Sequence, residues 1–85
     1  METSISKRHI DPRFTSANVI RARALDLVDK CYLGTDEQYI EAIKLAMDAT
    51  RETHLYAPFD IKKDYARELL RLARRYDNAV AASAI

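Results

Sequence analysis

The stretch GTDEQ, residues 34–38, predicts the end of one helix and the start of the next. Gly34 is a residue type that commonly follows a helix C-terminus. Thr35 is a favourable N-cap, and Gln38 stands three residues later, which is the spacing of a capping box. The two acidic residues between them lie in the first helical turn, where the helix dipole favours negative charge. The stretch therefore predicts a tight junction between two helices.

The chain before this junction has the signals of a first helix. Asp11 can cap a helix whose first residue is Pro12, and Ser16 is a second candidate start. From either start the helix runs to about Leu33, where Gly34 supplies the stop. No segment of the chain alternates apolar and polar residues with a period of two, so we expect no strands.

The chain after the junction predicts two more helices. The second runs from Asp36 to about Leu55, and Pro58 in the sequence YAPFD prevents it from continuing. Asp60 is the expected cap of a third helix, which continues to about Ala82.

Each of the three predicted helices is amphipathic. Steps of about 100° per residue place most large apolar residues on one side of each axis. These apolar arcs contain Ile20, Ala24, Leu25, Leu27, Val28, Cys31 and Tyr32 in the first helix, with Phe14 added for the early start; Tyr39, Ile40, Ile43, Ala46 and Met47 in the second; and Ile61, Tyr65, Leu69, Leu72, Tyr76, Ala79 and Val80 in the third. The pattern predicts an all-α fold, either an antiparallel three-helix bundle or an intermolecular assembly of helical hairpins.

Length and composition predict one helical domain over residues 11–85, preceded by a mobile segment over residues 1–10. The chain has 85 residues, of which 48% are hydrophobic and 32% charged, a composition typical of a folded domain. A chain of this length buries only about 60–65% of the surface that its unfolded form exposes. We therefore expect it to form a homo-oligomer or to bind a larger protein.

Charge and cysteine content favour a cytoplasmic protein. The formal net charge is +1, smaller than the excess of a dedicated nucleic-acid binder. Cys31 is the only cysteine, so no internal disulfide can form, as suits a reducing compartment. The first residues have no apolar core of a secretory signal, and no apolar run approaches the ~20 residues of a membrane span.

A basic stripe runs along the third predicted helix, opposite its apolar arc, and consists of Lys63, Arg67, Arg71 and Arg74. Its spacing would match a row of phosphates, so nucleic-acid binding is one interpretation. The other is a solvated face, because acidic residues stand three positions from three of the arginines and can form local ion pairs. Those acids are Asp64, Glu68 and Asp77. We expect the solvated face and keep nucleic-acid binding as the alternative.

An acidic stripe runs along the second predicted helix and consists of Glu37, Glu41, Asp48 and Glu52. Four carboxylates on one face could bind a divalent cation or imitate a phosphate backbone. However, the Glu-x-x-His spacing of a carboxylate-bridged metal site is absent, because Arg51 stands three residues before His54. We therefore predict no metal site and again expect a solvated face.

Arg21 lies within the apolar arc of the first predicted helix, with no acid three or four residues away. A buried guanidinium requires a partner, either a carboxylate on another helix or chain or a bound anion. Alternatively, its long stem lets the charged end reach solvent. Four tyrosines also lie on or near apolar arcs, where they suit an interface: Tyr32, Tyr39, Tyr65 and Tyr76.

No group of residues has a catalytic spacing. Cys31 has no neighbouring histidine or second cysteine, and His54 is expected to be a core or helix-end residue. A chain with one glycine has no glycine-rich phosphate loop. We therefore expect no enzymatic activity and no cofactor. The sequence favours a protein–protein interaction module, a regulator, adaptor or accessory subunit, with nucleic-acid binding through the third helix as the alternative.

Overall fold

Helices account for all the regular structure in the part of the chain that the computed structural model describes, residues 10–84. They are α1 (Pro12–Cys31), α2 (Asp36–Tyr56) and α3 (Lys62–Ser83), with a short 3-10 turn (Phe59–Ile61) before α3. The three helices pack against each other, which confirms the all-α prediction. The segment predicted to be mobile, residues 1–10, lies outside the described residues apart from Ile10.

Helix α1 begins at the earlier of its two candidate starts. The Asp11 carboxylate accepts a hydrogen bond from the backbone N–H of Arg13 at 2.9 Å, and Pro12 occupies the first helical position. The Arg13 guanidinium turns back to the same carboxylate at 2.7 Å. These hydrogen bonds hold the pKa of the Asp11 carboxyl below its ordinary value. The carboxylate therefore stays ionised, and able to cap the helix, to a lower pH than an isolated aspartate.

The junction between α1 and α2 contains the predicted capping box. The backbone N–H of Gln38 donates to Thr35 Oγ1 at 3.2 Å, and the Gln38 side chain accepts from the backbone N–H of Thr35 at 3.3 Å. Helix α1 ends at Cys31, two residues before the predicted end at Leu33. Gly34 does not have a positive φ. A Cβ atom there would lie 2.7 Å from Gln38 Oε1, so glycine leaves room for the capping side chain.

The junction between α2 and α3 differs from the prediction. Asp60 lies inside the 3-10 turn, and Ile61 occupies the N-cap of α3 without a side-chain hydrogen bond. The prediction was wrong because a capping residue near a proline fits a 3-10 turn as well as an α-helix. Lys62 joins the two helices instead. Its ammonium group donates to the carbonyl oxygens of His54 at 2.7 Å and Leu55 at 2.9 Å, which caps the C-terminus of α2.

The core is built mainly from small side chains around α2. The buried residues are Ala17, Ala24 and Val28 of α1; Ala42, Ile43, Ala46, Ala49, Thr50 and Thr53 of α2; Ala57; and Leu72 of α3. Helix α2 contributes most because it packs against both other helices. The hydroxyls of its two buried threonines donate to carbonyl oxygens one turn earlier, so neither of these hydroxyls is left unsatisfied.

The apolar arc predicted for α1 was partly wrong. Ala24 and Val28 are buried, but Ile20 is 54% exposed, Leu27 is 40% exposed and Tyr32 is also exposed. The buried side of α1 is the one that carries its small residues, since short side chains let two helices approach closely. The larger aliphatic side chains therefore lie on the flank of the contact. On α3, likewise, Val80 is exposed although it belongs to the predicted arc.

We expect Leu72→Ala to lower the free energy of unfolding by about 2–5 kcal/mol, because Leu72 is buried and its loss leaves a cavity. Leu69→Ala removes a half-buried side chain and should cost about 1–2 kcal/mol. Leu70→Ala is the control, since Leu70 is exposed and its truncation should change the value by no more than about 0.5 kcal/mol. Chemical denaturation followed by circular dichroism measures all three. Equal losses at positions 70 and 72 would contradict the observed orientation of α3.

Candidate interaction surface

The buried side of α3 determines where its cations lie. Leu72 is buried, and Tyr65, Leu69 and Tyr76 are half-buried on the same side of the helix. The opposite side consequently faces solvent. It contains the predicted basic stripe, whose four members are all exposed: Lys63, Arg67, Arg71 and Arg74. The structure therefore places these four side chains together on one open surface.

The basic stripe is not neutralised within the described part of the chain. The local ion pairs expected between the arginines and Asp64, Glu68 and Asp77 do not form among residues 10–84. Glu68 instead turns away from Arg71 and pairs with a residue of α1. Asp64 and Asp77 are exposed beside the stripe without closing an ion pair across it. The positive charge of the stripe is therefore open to a partner.

One apolar residue of this surface was missed by the sequence analysis. Leu70 is 64% exposed and lies about 20° from Lys63 on the helical wheel, at the edge of the basic stripe. The same wheel that located the cations could have found it, because its position falls outside the apolar arc. The open face of α3 thus combines four cations with a large aliphatic side chain.

The acidic stripe of α2 is exposed along its whole length and only partly neutralised. Lys44 approaches the Glu41 carboxylate at 3.8 Å, and Arg51 pairs with Asp48 at 2.9 Å. Both pairs are solvent-exposed, so each contributes little stability. Within residues 10–84, the remaining members of the stripe, Glu37 and Glu52, are in no ion pair, and none joins the acidic stripe to the basic stripe.

Two open depressions lie between α1 and α2, beside the acidic stripe, and together we call them the groove. At one end it is lined by Leu27, Cys31, Ala42 and Leu45, with carboxylates of the acidic stripe at its edge. At the other end it is lined by residues that include Ile20, Ala17, Tyr56 and Glu52. Leu45 is 52% exposed. Ile20 and Leu27 were missed as surface residues because the predicted arc of α1 had assigned them to the core. Leu45 was missed although it lies outside the predicted arc of α2.

Arg21 pairs with a carboxylate on another helix, which was the first of the alternatives predicted for it. Its guanidinium donates to Glu68 Oε1 at 2.6 Å and to Asn18 Oδ1 at 2.9 Å. It also lies over the Tyr65 ring, 5.1 Å from the centroid, and that ring meets Phe14 edge-on at 5.8 Å. Both charged side chains are less than one-third exposed. The cluster joins α1 to α3.

The tyrosines predicted for an interface all contact the rest of the chain. Tyr39 accepts a hydrogen bond from Arg75 Nε at 2.7 Å, and its ring meets that of Tyr32 edge-on at 5.5 Å. Tyr65 belongs to the Arg21 cluster, and Tyr76 packs against the core. The Tyr32 ring is nevertheless the most exposed of the four. Their use by a partner stays a prediction.

The remaining candidates do not form a site. His54 is half-buried at the end of α2, where its carbonyl oxygen accepts from Lys62, and an open depression beside it is lined by exposed charged residues. Cys31 is half-buried. Between residues 10 and 84 no three His, Cys, Asp or Glu side chains are grouped closely enough to hold a metal ion.

In comparisons with protein-family models, with curated proteins and with solved structures, no match to this chain was found. None of the helices within residues 10–84 combines the length and the apolar character needed to cross a bilayer.

We expect the Arg21–Glu68 pair to show a coupling free energy of about 1–2 kcal/mol, between the values of exposed and fully buried pairs. The variants are Arg21→Met, Glu68→Gln and the double variant. Each single change leaves one partly buried polar group without its partner, so the two losses should not add. Denaturation curves of the four proteins measure the coupling. Strict additivity would mean that the pair contributes nothing beyond its separate side chains.

Proposed function

We propose that this chain is a small helical protein–protein interaction module, which self-associates or docks on a larger protein as a regulator, adaptor or accessory subunit. The observation that supports it best is the open groove between α1 and α2. Ile20, Leu27 and Leu45 expose about half of each side chain along this groove. Aliphatic side chains grouped on one face and bordered by charge are typical of a protein-binding surface.

The groove suits a helix that has an apolar and a basic face. A helix bound in a groove inserts aliphatic side chains at intervals of three or four residues. The spacing of Ile20 and Leu27, two turns apart on α1, provides matching contacts. The carboxylates of Glu37, Glu41 and Glu52 along one edge would favour lysine and arginine on the partner.

Our proposal includes an antiparallel arrangement of consecutive helices. Tyr32, just after α1, contacts Tyr39 in the first turns of α2, and Arg13 at the other end of α1 lies 4.4 Å from the ring centroid of Tyr56. Both contacts support α2 returning along α1. The small core supports oligomerisation, because a short chain with few large buried side chains gains stability from burying a second surface.

Nucleic-acid binding through α3 is the second candidate. The observation in its favour is that the basic stripe has no ion pair among the described residues. Against it, Asp64 and Asp77 are exposed beside the stripe. Tyr65 packs in the Arg21 cluster and Tyr76 packs against the core, so neither of these rings of α3 can stack on a base beside the stripe. The absence of enzymatic activity and the cytoplasmic location stay predictions.

We expect negligible binding of DNA or RNA at physiological salt. If α3 bound nucleic acid through its four cations, log affinity would fall against log salt with a slope of roughly −3 to −4. A salt titration of the wild type and of a variant with Arg67, Arg71 and Arg74 all changed to Gln tests this. Sub-micromolar binding of the wild type, lost in the triple variant, would place nucleic-acid binding first.

A photo-crosslinking residue in place of Leu27 should capture a protein across the groove. The matched control places the same residue at Ala22, which is exposed on α1 about 140° around the helix from Leu27. Each variant is irradiated as the purified chain and in an extract of the source cells, and the adducts are identified by mass spectrometry. We expect one dominant adduct from position 27, with a second copy or another protein, and none from position 22. No adduct from position 27 in either sample would contradict the proposed function.

A further inference from the structure

We infer that the basic stripe of α3 docks on the acidic stripe of α2 in a second copy of this chain. The inference deepens the proposed function and rests on its self-associating form. Within one chain, the charges of the basic stripe and of the acidic stripe do not neutralise each other. Four exposed cations on α3 have no ion pair among residues 10–84, while exposed carboxylates on α2 are only partly neutralised.

The two stripes have a common spacing. Lys63, Arg67 and Arg74 follow one another at intervals of four and seven residues, and the same intervals separate the acidic residues Glu37, Glu41 and Asp48. On α-helices these intervals correspond to about 6 Å and 10.5 Å along the axis. Two such helices laid side by side can therefore bring three pairs of opposite charges together in one register.

The same two surfaces have complementary apolar edges. Leu70 borders the basic stripe and Leu45 borders the acidic stripe, and more than half of each side chain is exposed. Neither residue belongs to the core of its own chain. Contact between copies would remove both aliphatic side chains from water, which favours association at any ionic strength. The docking surface thus has an apolar component that a purely solvated charged face lacks.

A second copy is the occupant that these observations favour. A partner for the basic stripe must present carboxylates at the intervals above, with an aliphatic side chain beside them, and α2 of this chain does so. Because every copy carries both stripes, two copies can exchange the contact reciprocally about a two-fold axis, which closes the assembly. The formal net charge of +1 leaves little overall repulsion between copies.

The test uses two charge-reversed variants of the full chain, Arg67→Glu with Arg74→Glu, and Glu41→Lys with Asp48→Lys. All four positions are exposed, so the fold should be retained, and thermal melting by circular dichroism checks this. Light scattering and sedimentation at tens of micromolar measure association. We expect the wild type to exceed the mass of one chain and each variant to associate at least about tenfold more weakly, because like charges then face each other.

Mixing the two charge-reversed variants should restore association, since each presents the charge that the other now requires. The matched control is Asp26→Lys with Asp29→Lys, which gives the same net charge as the acidic-stripe variant but changes exposed residues of α1. It should associate like the wild type. Changing Leu70 to Ser should weaken association, and at concentrations low enough for the wild type to be a single chain it should leave the melting temperature unchanged. High salt should weaken it as well, because the Debye length falls to about 3 Å at 1 M.

The outcomes separate this inference from the proposed function. A wild type that is monomeric while position 27 captures a different protein would overturn the inference and leave the proposed function standing. A monomer without any adduct would overturn both. Association that survives either charge-reversed variant would place the interface elsewhere on the chain. A monomeric wild type that binds an oligonucleotide through Arg67 and Arg74 would assign the stripe to nucleic acid instead.

Discussion

Helix α2 has to bury side chains against two other helices at once, and this constraint shapes the rest of the molecule. Its buried residues spread over a broad arc, and except for Ile43 they are all alanine or threonine. Protein interiors are close-packed, so small side chains let a helix between two neighbours approach both of them closely. The hydroxyls of Thr50 and Thr53 are compatible with this position because each bonds within its own helix.

The same constraint explains the apolar surface. Where Ala24, Ala42 and Ala46 make the contact, the helices lie close together and leave little room for longer side chains. Ile20 and Leu27 of α1 consequently lie beside the contact, where they border the open groove. A core of small residues and an exposed set of larger ones thus have one physical cause. Both observations underlie our proposal that another protein covers this surface.

The charged surfaces follow from a single long-range contact. Arg21 occupies the buried side of α1 and needs a carboxylate, and Glu68 supplies it from α3. Glu68 is then not available to Arg71, three residues further along its own helix. The ion pair that joins two helices therefore leaves the outer face of α3 more positive than its composition indicates, and this face is the one for which we propose a partner.

The sequence by itself determined the elements whose signals are local. Asp11 and the capping box at residues 35–38 were predicted because a cap bonds to backbone groups two or three residues away. The two charged stripes were likewise predicted, since the positions of exposed residues on a helix follow from its period.

Only the tertiary structure decided which residues of each arc are buried, because neighbouring helices select the contact and periodicity alone does not. It also decided the partner of Arg21, which is 47 residues away in the chain. The position of Asp60 was also decided by the tertiary structure. An aspartate there can begin either an α-helix or a 3-10 turn, and the contact of Lys62 with α2 favours the 3-10 turn. Contacts between distant segments depend on how whole helices pack, and local propensities do not contain that information.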